Sequence, residues 1–208
     1  MTHLHSSAGD EACSPPLVFQ DHPTATNKIR LAYVDAVEED WQFRVLWSRQ
    51  HTSTANAPQA QKRYNGAHCQ RCCMIFRLCQ ACGQSARLPN GGVTWVIPAE
   101  ENPEQNWSGI TDIAPTCARC IDEAIMGPRF CTRLRRGCHV YAVRHAEPYG
   151  VLADVYRQHD SDPKAAILVE KNAIVPLEAF PLLESCLATQ LVVQLSDLTS
   201  LADNLVPC

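Results

Sequence analysis

The sequence predicts an α+β fold: one mixed domain with a metal-binding module set inside it and a helix closing the chain. Three observations predict it. Two Cys-x2-Cys pairs, Cys79/Cys82 and Cys117/Cys120, stand 34 residues apart near the middle of the chain. Short segments of alternating apolar residues lie on both sides of that middle. Between 177 and 198, apolar residues step by three or four. At 208 residues and 46% hydrophobic, the chain can bury one real core.

In chain order, residues 1–27 are polar, carry Pro15, Pro16 and Pro23, and read as a flexible N-terminal arm. Residues 28–208 read as the single α+β domain. Ile29, Leu31 and Tyr33 alternate as a short strand. Trp41, Phe43, Val45 and Trp47 alternate as a second, paired antiparallel to the first across Glu38-Glu39-Asp40. Gln59 to Arg77 has no proline and places Tyr64, Ala67, Cys72 and Ile75 at helical spacing. A knuckle follows at Cys79-Gln80-Ala81-Cys82-Gly83, where Gly83 is free to take a positive φ. Pro89-Asn90-Gly91-Gly92 makes a turn into a strand at Val93–Ile97. Thr116 reads as the N-cap of a helix that carries Cys117 and Cys120 and stops at Gly127-Pro128. The part from 139 to 198 is strand-rich, with strands at 139–145, 150–156 and 165–170 and a short one at 173–175. The closing helix spans about Leu177 to Leu198, on Phe180, Leu183, Leu187, Leu191, Leu195 and Leu198.

The cysteines carry the chemistry. Each Cys-x2-Cys pair offers two sulfurs on one side of a tight turn, and two pairs complete a tetrahedral thiolate site for Zn2+. A knuckle, a hairpin and a ligand-bearing helix give the layout of a treble-clef zinc module, here 59–127. Eight of the 12 cysteines lie between Cys69 and Cys131. Cys69 and Cys73, with Cys131 and His139, form a possible second metal set, set against the reading that they are core residues. The start of the sequence lacks the pattern of a secretory signal. A reducing cytoplasm is therefore the expected setting, and it favours metal ligation over disulfides.

Net charge is −4, but residues 62–144 carry 11 Lys/Arg against 6 Asp/Glu. Arg129, Arg133, Arg135, Arg136 and Arg144 are the candidate nucleic-acid contacts there, since clustered guanidinium groups attract phosphate. Asp154, among apolar neighbours, and His145 with Glu147 are the weak candidates for catalysis. There is no Gly-rich phosphate loop, no G-x-S-x-G elbow, no H-E-x-x-H and no apolar run long enough to span a membrane.

Two resemblances add to this. Phe76-Arg77-Leu78-Cys79-Gln80-Ala81-Cys82-Gly83 and Pro115-Thr116-Cys117-Ala118-Arg119-Cys120 resemble the two knuckles of the HNH endonuclease architecture. The strand between them departs from that pattern. It reads Thr94-Trp95-Val96-Ile97-Pro98, with Trp95 where the family places its general-base His, and an indole takes no proton from water. The resemblance implies the zinc frame without active cleavage. From residue 28 onward the chain also resembles uncharacterised cysteine-rich proteins of Streptomyces and related actinobacteria. That likeness is carried by Arg71-Cys72-Cys73-Met74, Trp95-Val96-Ile97, 115–120, His145–Asp154 and Ala188–Leu198. It implies a shared fold and a cytoplasmic bacterial setting. The function expected is a zinc-stabilised, non-catalytic binding protein whose partner is nucleic acid or another protein. The alternative is an enzyme of bacterial secondary metabolism, with a pocket between the zinc module and the C-terminal strands.

Overall fold

The computed structural model describes residues 16–24, 28–49, 67–101, 109–122 and 137–205. In chain order the elements are β1 (Leu17–Asp21), β2 (Ile29–Tyr33), β3 (Trp41–Gln42), β4 (Val45–Trp47), α1 (Ala67–Phe76), β5 (Val93–Pro98), β6 (Ile110–Thr111), β7 (Cys138–Gln158), β8 (Ala166–Pro176), α2 (Phe180–Leu183) and β9 (Cys186–Leu205). β1 and β2 form one antiparallel pair; the other strands form a seven-stranded sheet. The fold is thus mixed and mostly β.

The 21-residue β7 and the 20-residue β9 pair antiparallel along nearly their whole lengths and form the spine. The segments expected as two strands, 139–145 and 150–156, are one, because the chain crosses Pro148 in a bulge and stays extended. Gly150 is the residue that permits this. A Cβ there would lie 2.5 Å from the Val175 carbonyl oxygen, so only glycine lets β8 come in beside it. The segments expected at 165–170 and 173–175 are likewise one strand, β8, bulged where Asn172 takes a positive φ of 54°.

The closing helix is corrected. Only Phe180–Leu183 is helical, and Cys186–Leu205 is a strand. Leu191, Val192 and Val193 are all fully buried. This stretch of β9 is covered on both faces, and so it reads as an apolar run without clean alternation. Leu191 and Leu195, four apart, share one face of a strand just as they would share one face of a helix.

The front of the chain is corrected too. Leu17–Asp21, inside the expected arm, is a strand, and it rather than 41–47 is the partner of Ile29–Tyr33. Apolar side chains explain it: Phe19, Leu31 and Tyr33 bury against Leu46 in a core of their own. The segment 41–47 folds back on itself. Phe43 and Arg44 hold φ of 55° and 64°, the geometry of a type I′ hairpin turn in residues that disfavour it. Phe43 packs on the main core, while Arg44 binds Glu184 at 3.0 Å and stacks over the Phe180 ring.

The spine has a gap along each outer edge. On β7, β5 pairs over 138–143 and β8 over 150–158, which leaves 144–149 open. On β9, β4 pairs at Leu187 and Ala188 and β6 at Val193 and Gln194, which leaves the stretch between them open. Helix α1 fills both gaps from one face of the sheet. The Gln70 amide takes the Leu191 NH and gives its own hydrogens to the Leu191 and Asp112 carbonyls, at 2.8–2.9 Å. At the other end of α1, the Arg77 guanidinium donates to the carbonyls of Met74 and Ala146. Leu195, opposite Ala146, gives its NH to Gly109, so this pair exchanges no ladder bonds and the Ala146 carbonyl faces the gap. Pro148, two residues on, has no NH to leave unpaired there. Helix α1 itself agrees with the expected helix, over the described part of 59–77.

Candidate metal centre

The four expected sulfurs come together. The Sγ atoms of Cys79, Cys82, Cys117 and Cys120 all lie within 4.8 Å of one another, and Cys82 and Cys117 are 3.7 Å apart. Nothing else among the described residues groups three or more Cys, His or acidic side chains in this way.

The first knuckle is the tip of a small hairpin. Helix α1 ends at Arg77, whose φ of 59° turns the chain, and Leu78 NH closes back on the Cys73 carbonyl at 3.0 Å. Cys79 and Gln84 are joined by a 2.7 Å backbone bond, and Gly83, at φ 71°, returns its NH to the Cys79 carbonyl at 2.8 Å. The expected role of Gly83 is thus observed. The second knuckle begins a 3-10 turn, Ala118–Cys120, with Cys117 itself in the N-cap place. The expectation of Thr116 as cap is corrected: its hydroxyl instead accepts from the Gln80 side chain at 3.3 Å. Beyond 122 the expected ligand helix lies outside the described residues. Gln80 NH binds the Pro115 carbonyl at 2.9 Å, so the two knuckles are stapled by backbone as well as by any ion. Both are anchored on β5, through Thr94 NH to Ala86 and Thr116 NH to Thr94.

The cluster crowds four ionisable thiols into a largely buried space. Burial pushes the Cys79 thiol up, partly offset by the NH groups of Cys117, Cys82 and Ala81 that reach its sulfur. Burial also pushes Cys120 up, reinforced by its hydrogen bond to Cys117. Burial opposes the Cys117 thiolate as well, but bonds from Cys120, Cys79 and Cys82 and from the Cys120 NH outweigh it and draw its pKa down. Within the cluster, Cys117 is the thiol most favoured to ionise. Ionising the rest would crowd like charges into a half-buried space, and a divalent cation removes that cost. These four cysteines could therefore hold a metal ion. Three of them, with Met74, Trp95 and Tyr141, belong to the main buried core.

The other expected residues are dispersed. Cys69 and Cys73 lie on α1, and Cys73 is buried, its thiol pushed up to about 12 by burial. His139 sits on β7 opposite Ile97, its ring 6.1 Å from that of Tyr141. Among the described residues these three do not form a ligand group with one another, and Cys131 lies outside the described residues. Arg129, Arg133, Arg135 and Arg136 also lie outside them; Arg144 is exposed on β7. Asp154 accepts the Asn172 NH at 3.0 Å and so holds the bulged β7–β8 pair. His145 and Glu147 are exposed; His145 stands 3.8 Å from the equally exposed Asp197. Trp95 is fully buried and gives its indole NH to the Ile113 carbonyl at 2.7 Å.

Sequence reasoning missed Gln70 and Arg77. Neither residue type, nor its spacing, marks a side chain that will substitute for a missing strand. Comparison with protein-family models, curated proteins and solved structures finds no match.

Proposed function

We propose that this chain is a zinc-stabilised, non-catalytic binding protein, whose partner is a nucleic acid or another protein. One observation carries it: the four sulfurs cluster within 4.8 Å of one another, and a zinc ion that takes all four as ligands has no position left for a water or a substrate. Four thiolates at Zn–S distances of about 2.3 Å sit about 3.8 Å apart, the spacing at which a tetrahedral zinc site is full and structural. The Cys82–Cys117 separation of 3.7 Å fits it. In this reading the module is a treble clef of HNH type that has kept its frame and lost its base, since Trp95 is locked in the core where that chemistry would need a His. Free thiols at every described cysteine suit a reducing compartment such as the cytoplasm.

A nucleic-acid partner is supported by what surrounds the knuckles. Phe76 is 63% exposed. The backbone bond from Ala86 to Arg77 joins the residues that adjoin exposed Arg87 and Phe76 in the chain, and Arg119 is exposed on the second knuckle. An aromatic face beside guanidinium groups suits stacked bases and phosphates.

The purified protein should be colourless, with one zinc per chain; iron with a brown colour would overturn the zinc assignment. Gel shifts with mixed single-stranded and duplex probes at low salt test the partner. Binding that weakens steeply with salt, and falls for Phe76→Ala and Arg87→Ala, supports nucleic acid. No shift at micromolar protein assigns the site to a protein partner.

A further inference from the structure

We infer that Arg77 couples the metal centre to the sheet: while the ion is held, Arg77 closes the gap in the edge of β7, and when the ion leaves, the gap opens. The inference rests on the reading of the four cysteines as a metal site.

Arg77 belongs to two structures at once. Its backbone is the last hinge of α1 and the first rung of the knuckle hairpin, where its carbonyl accepts the Ala86 NH at 3.0 Å. Its φ of 59° is unfavourable for a residue with a Cβ, so the surroundings must impose it. Cys79 follows two residues later. Whatever fixes the hairpin 77–86 therefore fixes the direction of the Arg77 side chain.

That side chain gains little from staying where it is. It is held by two carbonyls and lies 6.0 Å from the centre of the Trp95 ring. Among the described residues, no carboxylate anchors it. Its position follows from the hairpin, and the hairpin is set by the thiol cluster. The Ala146 carbonyl, in turn, faces an edge that neither β5 nor β8 reaches, and among the described residues Arg77 is its partner. Coupling of this kind is reciprocal: a change at Arg77 must alter how firmly the ion is held.

Hydrogen exchange of the full zinc-loaded chain, read beside zinc transfer to a chromogenic chelator, tests this. Arg77→Ala should keep one zinc per chain, exchange over 144–149 about tenfold faster and release zinc about tenfold faster, within the ordinary range of coupling between sites. Exchange in β1 and β2 should not change. Faster exchange at 144–149 with unchanged zinc release would reduce Arg77 to a local prop and overturn the inference, as would unchanged exchange there. If Arg77→Ala does not fold, chelator titration of the wild type decides. Residues 77–86 and 144–149 should lose protection together, before β1 and β2; simultaneous loss everywhere overturns it. A wild-type protein that binds no metal would instead sink the metal reading itself, and this coupling with it.

Discussion

The knuckle module and the β7–β9 spine solve the same problem by opposite means. The spine is held mainly by its own backbone ladder. Its ladder pairs Cys138 with Leu205 at one end and Val155 with Cys186 at the other, and its buried residues are mostly aliphatic. The module, from α1 to Cys120, has little regular structure. Among its described residues, apart from α1 and β5 it is turns, two short 3-10 helices, a two-residue strand and isolated bridges, and its buried groups include thiols, a tryptophan and the Arg71 side chain. A region with so few repeating hydrogen bonds needs a different source of order, and a metal ion on the four clustered sulfurs could supply it. The difference teaches that damage to each region should leave a different signature.

The largest effect is expected in the module. Cys120→Ser removes a ligand, and since a structural zinc contributes on the order of 10 kcal/mol to small metal-dependent folds, the module should lose its order. Limited proteolysis should then cut within 67–122 before it cuts within 138–205. Equal susceptibility of the two regions would break the comparison. Next in size is a lesion in the spine. Gly150→Ala drives a methyl group into the Val175 carbonyl and should cost about 3 kcal/mol, read as a lower urea midpoint with zinc content unchanged.

The two regions should also fail at opposite ends of the pH scale. In the module, protons compete with the ion for thiolates, so zinc should dissociate as pH falls. In the spine, Cys186 is fully buried, gives its S–H to the Leu182 carbonyl at 3.0 Å, and is pushed up to about 12 by burial. A folded pKa raised above the unfolded value gives stability that is complete below about 8.5 and is lost as pH rises from there towards 12. Each pH unit in that window should remove about 1.4 kcal/mol, and Cys186→Ala should flatten the alkaline slope. Thermal unfolding of the zinc-loaded protein from pH 5 to 11 measures both limbs. The smallest effect is Asp154→Ala, which frees one backbone NH at an exposed bulge and should cost about 1 kcal/mol. Partner binding should persist; its loss would show that the carboxylate does more than hold Asn172.

How much of this was legible in the sequence follows the same division. The module announced itself, because a metal site depends on residue identity at fixed spacing, and Cys79, Cys82, Cys117 and Cys120 meet as their spacing implied. The spine hid. Leucines four apart satisfy a helix and a strand alike, and at Leu191–Val193 burial on both faces erased the alternation that would have decided between them. Pro148 lies between the two segments expected as separate strands, and proline cannot join a ladder on both sides. At an edge with no neighbouring strand it costs nothing. Phe43 and Arg44 occupy a turn that prefers Asn-Gly, held by Glu184, a residue 140 positions away that no local pattern could reveal. The side chains that matter most to assembly, Gln70 and Arg77, act on carbonyls 121 and 69 residues distant, so no window of sequence contained both partners.

Those long reaches bear on how the chain is made. Helix α1 and all four thiols are synthesised before either strand that α1 will bridge. At about 5–20 residues per second, Leu191 follows Cys120 by roughly 4–14 seconds. During that interval the knuckles have only each other and whatever cation they meet. Metal capture can therefore come first, as a local event, with closure of the sheet against α1 as the final step of biosynthesis. The order of assembly would then be set by translation: a nascent chain starved of zinc would present β7 and β9 with a helix not yet shaped to receive them.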